Sequence, residues 1–193
     1  MLRSLVLAIA LLATGAAAAD TQAEIQTSLG TITVSLDATH APQTVANFVR
    51  YAREGHFDGT VIYRVVPGFV LQMGSYDAKG SAKATHEPIA LETATGLTNL
   101  RGTLSMARSE PNSATAEFFI NLSDNASLDP TAGAPPNTTG YAVFGHVTGG
   151  MDVVDKVAAV PLGGTAGPFP PQASPLEPVT ITKVTITDTA APK

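Results

Sequence analysis

The sequence predicts a mainly β fold of about eight short strands and two helices. Three observations carry that reading. Short apolar or alternating runs recur along the chain, separated by Gly, Pro, Asn and Asp. Only two stretches, 41–54 and 151–158, place apolar residues at helical spacing. No internal repeat or shift of composition divides the 193 residues, so they are read as one domain with enough chain for a core. Such a pattern suits a closed barrel or a sandwich, and strand spacing alone does not choose between them.

The first nineteen residues stand apart from the fold. Arg3 supplies a positive start, residues 5–13 are continuously apolar, and Ala17-Ala18-Ala19 precede Asp20. That is the pattern of a secretory signal peptide, giving a signal at 1–19 and a mature domain at 20–193. The apolar run is too short to span a bilayer as a helix. Export to the periplasm or the exterior is expected, with no membrane contact after cleavage. The chain has no Cys, which excludes disulfides, thiolate chemistry and a lipid-modified cysteine. A net charge of −5 without a basic run argues against nucleic acid as a partner.

In chain order, residues 24–27 and 31–37 form the first hairpin. Ile32, Val34 and Leu36 alternate with Thr33 and Ser35, and Ser28-Leu29-Gly30 supplies the turn. In the helix at 41–54, Pro42 sits near the first position and Val45, Phe48, Val49 and Ala52 share a face. Arg50 and Arg53 occupy its last turn and Gly55 ends it. Residues 62–73 form two strands around Pro67-Gly68. Strict alternation puts Ile62, Arg64 and Val66 on one side and Tyr63 and Val65 on the other. An Arg among aliphatic neighbours ordinarily lays its stem on apolar surface and its head in water.

Residues 74–98 are small and polar, with a short strand at 89–91. Strands follow at 103–107 and 117–122. The loop at 123–140 has one large apolar residue, Leu128, which needs either a satellite contact with the core or a site of its own. A strand at 141–147 and the second helix, marked by Met151, Val154, Val157 and Ala158, come next. Residues 161–178 are too rich in Pro and Gly to be regular, and 179–187 make the closing strand.

Common catalytic signatures are missing. There is no nucleophile elbow, Walker loop or dinucleotide glycine pattern. His40, His56, His86 and His146 lack zinc-ligand spacing and read as surface or loop residues. No metal and no cofactor are expected. Asn-x-Ser/Thr triplets begin at Asn121, Asn125 and Asn137, and read as chance in an Asn- and Thr-rich region.

The run RVVPGFVLQ at 64–72, then GTLSMAR at 102–108, EFFIN at 117–121, GYAVFG at 140–145 and GGMDVVDKV at 149–157, together resemble the cyclophilins, the peptidyl-prolyl cis-trans isomerases. The resemblance covers roughly 22–188 and is nearest the secreted bacterial members. It implies a closed eight-stranded antiparallel barrel with a helix at each open end. By the same match Arg64 is the catalytic residue. Phe69, Val70, Phe119 and Leu128 hold the proline ring, with Met106 close by. Gln72 braces Arg64, Ala107 and Arg108 run along the peptide, and Arg108 bonds it through its backbone. The partners implied are exposed X-Pro segments of unfolded or flexible proteins, met by a monomer.

Three positions depart from the best-known eukaryotic pattern. Ser127 stands where a Trp associated with cyclosporin binding is usual, and Tyr141 replaces a His at the pocket rim, so weak drug binding is expected. Glu117 stands where many cyclophilins carry Gln. It sets a carboxylate near Arg64, where a charge-assisted bond would either orient the guanidinium or hold it away from the prolyl nitrogen, and partial diversion is the expectation. That feature sustains an alternative, a barrel that holds Pro-containing segments as a binding or chaperone module without turnover. The plainer reading of Glu117 is a solvated side chain.

Overall fold

The computed structural model describes residues 21–188; the signal peptide reading and the position of Asp20 lie outside them. Eight strands form one antiparallel sheet: β1 (Thr21–Thr27), β2 (Gly30–Leu36), β3 (Thr60–Val66), β4 (Val70–Asp77), β5 (Thr103–Met106), β6 (Phe118–Asn121), β7 (Val143–Gly149) and β8 (Ile181–Asp188). Their spatial order is β3-β4-β6-β5-β7-β2-β1-β8. The helices are α1 (Pro42–Arg53) and α2 (Met151–Ala158).

The expected closed barrel needs correction. The sheet curls so that its two ends, β3 and β8, approach each other, but no ladder joins them. One isolated bridge, Val61 with Thr180, spans the seam, beside bonds from Gly59 N to Ile181 O and from Ile62 N to Val179 O. The register shifts between Gln26 and Thr27 of β1 against β8 and twice between β3 and β4, and such irregularities bend and twist the strands into the curl. The short strand expected at 89–91 is likewise only an isolated bridge, Ile89 with Ala114.

The core lies inside the curl. Ile25, Ile32, Val34, Leu71, Met73, Leu104 and Ile120 point inward from the strands. The helix α1 has Pro at its start, and its buried face of Val45, Phe48, Tyr51 and Ala52 covers one side of the core. Phe48 packs its ring against Phe57, Phe118 and Phe144 at 5.2–5.4 Å. On α2 the buried residues are Val153, Val154 and Val157.

Alternation fails at one place in β3, and the site depends on it. Ile62 pairs with Met73 and Arg64 with Gln72, so Tyr63 is an extra residue with no opposite number. This bulge lets Ile62 and Val65 both join the core. Arg64 therefore leaves the face of Ile62, contrary to the simple period of two, and lies beside Gln72 instead.

Candidate functional site

A cavity of about 280 Å³ opens on the convex side of the sheet beside Arg64. Phe69, Val70, Phe119, Leu128, Ala107 and Tyr141 form its apolar end, while Arg64, Gln72, Arg108 and Phe169 surround the rest. Strands β4 and β6 supply the floor, because Val70 and Gln72 alternate with the core residues Leu71 and Met73, and Phe119 lies between Phe118 and Ile120. Leu128 comes from the long polar loop. It packs with Phe69 and Tyr141 on a small apolar cluster of Val70, Ala107 and Phe119, separate from the main core. The satellite cluster and the pocket wall are thus the same residues. Tyr141 meets Phe119 edge to face at 5.6 Å.

Met106 is elsewhere. It shares the inward face of β5 with Leu104 and is 2 % exposed in the main core. The period of two that sends Ser105 outward sends Met106 inward, so it supports the sheet and does not line the cavity.

A buried amide network holds the pocket's two loops together. Asn125 Nδ2 donates to Phe69 O at 2.9 Å and to Asn121 Oδ1 at 2.7 Å. Asn121 Nδ2 donates to Asn99 Oδ1 and Thr103 Oγ1, and Ser105 donates to the same Asn99 oxygen. Leu128 N then bonds Asn125 O, and Tyr141 N bonds Leu128 O. Buried polar groups satisfied in this way specify one geometry, because breaking any member leaves others unpaired in a low dielectric. The network also accounts for two of the three Asn-x-Ser/Thr triplets. At the third, Asn137 Oδ1 accepts from Thr93 N and Ala94 N.

The polar end is a chain of three side chains. Arg64 Nη1 donates to Gln72 Oε1 at 3.0 Å, and Gln72 Nε2 donates to Glu117 Oε2 at 3.0 Å. The expected Arg64–Glu117 bond is therefore corrected: an amide stands between the two charges. Glu117 can stand there because Gly74 in β4 has φ +114 and no side chain; a Cβ would sit 2.6 Å from Ala116 O. Glu117, half-buried, lines an adjoining groove shared with Gln72, Ala107, Arg108 and Phe169.

Tyr63 lies beneath this chain, fully buried, with an Oη that makes no hydrogen bond of good geometry. Burial first, and then the nearby Glu117 carboxylate, push its phenol far above the ordinary range, so it stays neutral.

Arg108 is anchored by its side chain, with Nε donating to Gly140 O at 2.9 Å and Cζ lying 4.9 Å from the Tyr141 ring centroid. Its backbone N–H and C=O have no backbone partner among the described residues.

Phe169 escaped sequence reasoning. It stands in the Pro- and Gly-rich segment, far along the chain from Arg64. The usable signal is the one that singled out Leu128: a large apolar residue among small and polar neighbours.

A larger cavity of about 370 Å³ lies elsewhere, lined by Asp37, Leu97, Leu100, Arg101 and His146 among others. Its guanidinium is bound by Asp155 at 2.8 Å. It does not combine a guanidinium with an aromatic pocket, so the smaller cavity is the candidate site. No group of three or more His, Asp or Glu among the described residues is placed to hold a metal.

Known proteins resemble the chain along nearly all of this architecture. The family model described as cyclophilin type peptidyl-prolyl cis-trans isomerase/CLD matches residues 22–186. A peptidyl-prolyl cis-trans isomerase of Streptomyces antibioticus is 46% identical over 159 residues, covering 82% of this chain and 93% of its own. The peptidyl-prolyl cis-trans isomerase B of Escherichia coli (strain K12) is 44% identical over 163 residues, 84% of this chain and 97% of its own. The fold is matched by a Cryptosporidium parvum cyclophilin-type isomerase at TM-score 0.72 and 22% identity, covering 87% of this chain and 98% of that one. A second crystal structure of that protein, in the presence of the dipeptide Ala-Pro, superposes at TM-score 0.71, with 22% identity, 86% of this chain and 98% of that one covered. With sequence and fold both matched over most of its length, the chain belongs to the cyclophilin-type peptidyl-prolyl cis-trans isomerase family.

Proposed function

We propose that the protein accelerates rotation about X-Pro bonds in exposed segments of unfolded or flexible proteins, with Arg64 as its catalytic residue. The observation that carries this is an Arg64 guanidinium braced by Gln72 at the mouth of an apolar, aromatic pocket. The uncatalysed barrier of about 18–20 kcal/mol is loss of amide resonance. The planar cis and trans states of X-Pro differ by only about 0.5–1 kcal/mol. Catalysis therefore requires tighter binding of the twisted bond than of either planar form.

Phe119, Val70, Phe69 and Leu128 grip the ring and fix one side of the bond. The Arg108 backbone groups pair with the chain next to it and fix the other. As the bond twists, the prolyl nitrogen recovers a lone pair. A guanidinium N–H then finds an acceptor that the planar imide lacks. No proton leaves Arg64 and no covalent bond to substrate forms.

The signal-peptide pattern supports action outside the cytoplasm by a mature chain beginning at Asp20, and N-terminal mass analysis of exported protein tests that start. A protease-coupled assay on a short X-Pro peptide tests the activity; no acceleration over the uncatalysed rate would refute it. The competing reading, a module that binds without turnover, draws on a carboxylate that diverts Arg64. Glu117 bonds Gln72 instead, and that support falls away.

A further inference from the structure

Gln72 accounts for one contact of the Arg64 guanidinium. A single hydrogen bond leaves the group free to swing about that bond, and Arg has much rotamer freedom to lose. A second contact comes from the Phe169 ring, whose centroid lies 4.9 Å from Arg64 Cζ. Phe169 lines both the proline cavity and the adjoining groove of Glu117.

The ring is itself held. It stacks on Tyr63 with centroids 5.8 Å apart and planes 8° from parallel. Two residues earlier, Gly167 lies against the same Tyr63 at φ +108, where a Cβ would stand 3.0 Å from Tyr63 Cβ. The segment can sit this close only with glycine there. Tyr63 is in turn the bulged residue of β3 and is fully buried. One bulge thus has two results. It sets Arg64 opposite Gln72, and it turns Tyr63 out as the base on which Phe169 rests.

We propose that Phe169 is a positioning residue for Arg64, fixing the plane of the guanidinium by cation–ring stacking while Gln72 fixes its rotation within that plane. The segment at 161–178 is then a wall of the site and not only a connection to β8. This assignment rests on the isomerase reading above. A favourable contact between a guanidinium and a ring face is attractive by itself, and here it also removes orientations in which no N–H reaches the prolyl nitrogen.

The test uses the purified protein with Phe169→Leu and Phe169→Tyr. Leu keeps an apolar side chain but has no ring face; Tyr keeps the face. Phe169→Leu should lower kcat by about 2- to 10-fold, the range for one cation–ring contact, with KM within about 2-fold and a melting temperature near wild type. Phe169→Tyr should retain the wild-type kcat. In wild type and Phe169→Tyr the Arg64 side-chain N–H resonances should show a ring-current shift that Phe169→Leu loses. An active wild type with kcat unchanged in Phe169→Leu would overturn the assignment alone, as would a raised KM at constant kcat, which marks a mere binding surface. Absence of the ring-current shift in wild type would overturn it even if Phe169→Leu failed to fold. An inactive wild type would remove the isomerase reading and this assignment together.

Discussion

Gln72 Nε2 donates to Glu117 Oε2 across 3.0 Å, and this bond sets which way the Gln72 amide faces. With its nitrogen turned to Glu117, its oxygen is left for Arg64 Nη1 at 3.0 Å. Glu117 therefore orients the guanidinium through the amide and does not compete for it. Glu117→Gln keeps an acceptor at the same place, so kcat/KM should stay within about 2-fold of wild type. Glu117→Ala removes the acceptor and frees the amide to flip, with a loss of about 2- to 10-fold, the worth of one hydrogen bond. Steady-state kinetics of the pair check this. A gain of several-fold in Glu117→Gln would restore the idea of direct diversion.

Arg64→Ala should cut kcat/KM by about 10²- to 10³-fold, as for loss of one donor to developing charge. Arg64→Lys should recover little. An ammonium has neither the planar fork nor a face to lay on Phe169. Circular dichroism should show both variants folded, since Arg64 is only half-buried at an open cavity. A variant retaining most of its rate would take Arg64 out of the mechanism.

Leu128→Ala should raise KM or weaken binding of a Pro peptide while costing less than about 1 kcal/mol of stability. Truncation of a core Leu costs about 2–5 kcal/mol, but Leu128 is only half-buried and sits on the small cluster beside the cavity. Denaturant titration and peptide titration together decide. A core-sized loss of stability with unchanged kinetics would make Leu128 structural.

His56 gives stability a pH dependence. Its ring is half-buried, its Nε2 lies 3.0 Å from Gly74 O, and burial holds its pKa below the ordinary 6.5, partly offset by that bond. As pH falls through 6.5 the unfolded chain takes up a proton that the folded chain resists, so the unfolded state gains. The melting temperature should therefore fall as pH drops from 6.5 to the lower folded value, and stay level in this respect above pH 6.5. His56→Gln should flatten that part of the profile. Parallel wild-type and variant curves would show that other groups govern it.

Much of the architecture is legible from local pattern because its cause is local. The helix at 42–53 announces itself by Pro42 and the spacing of Val45, Phe48 and Ala52, and the β3–β4 turn by Pro67-Gly68. Leu128 is conspicuous because a large apolar group in a polar loop must be buried somewhere, and Arg64, Gln72 and Phe119 stand in runs that carry the family likeness.

What tertiary structure alone decided depends on partners distant along the chain. The bulge at Tyr63 exists only against β4, since register is a property of two strands, and it changes the face of Arg64 that alternation predicts. Whether Glu117 meets Arg64 or Gln72 turns on how closely β4 and β6 approach at Gly74. Met106 goes to the core because β5 pairs with its neighbours in one phase and not the other. The sheet curls without a joining ladder because its end strands meet at one bridge only. Phe169 reaches Arg64 across more than half the chain, a contact no window of residues contains. The sequence by itself determined both helices and most of the strands, and it singled out most of the side chains that the structure brings to the cavity, through propensity, period and likeness. Their angles and partners were decided by the packing of segments that are neighbours only after the chain has folded.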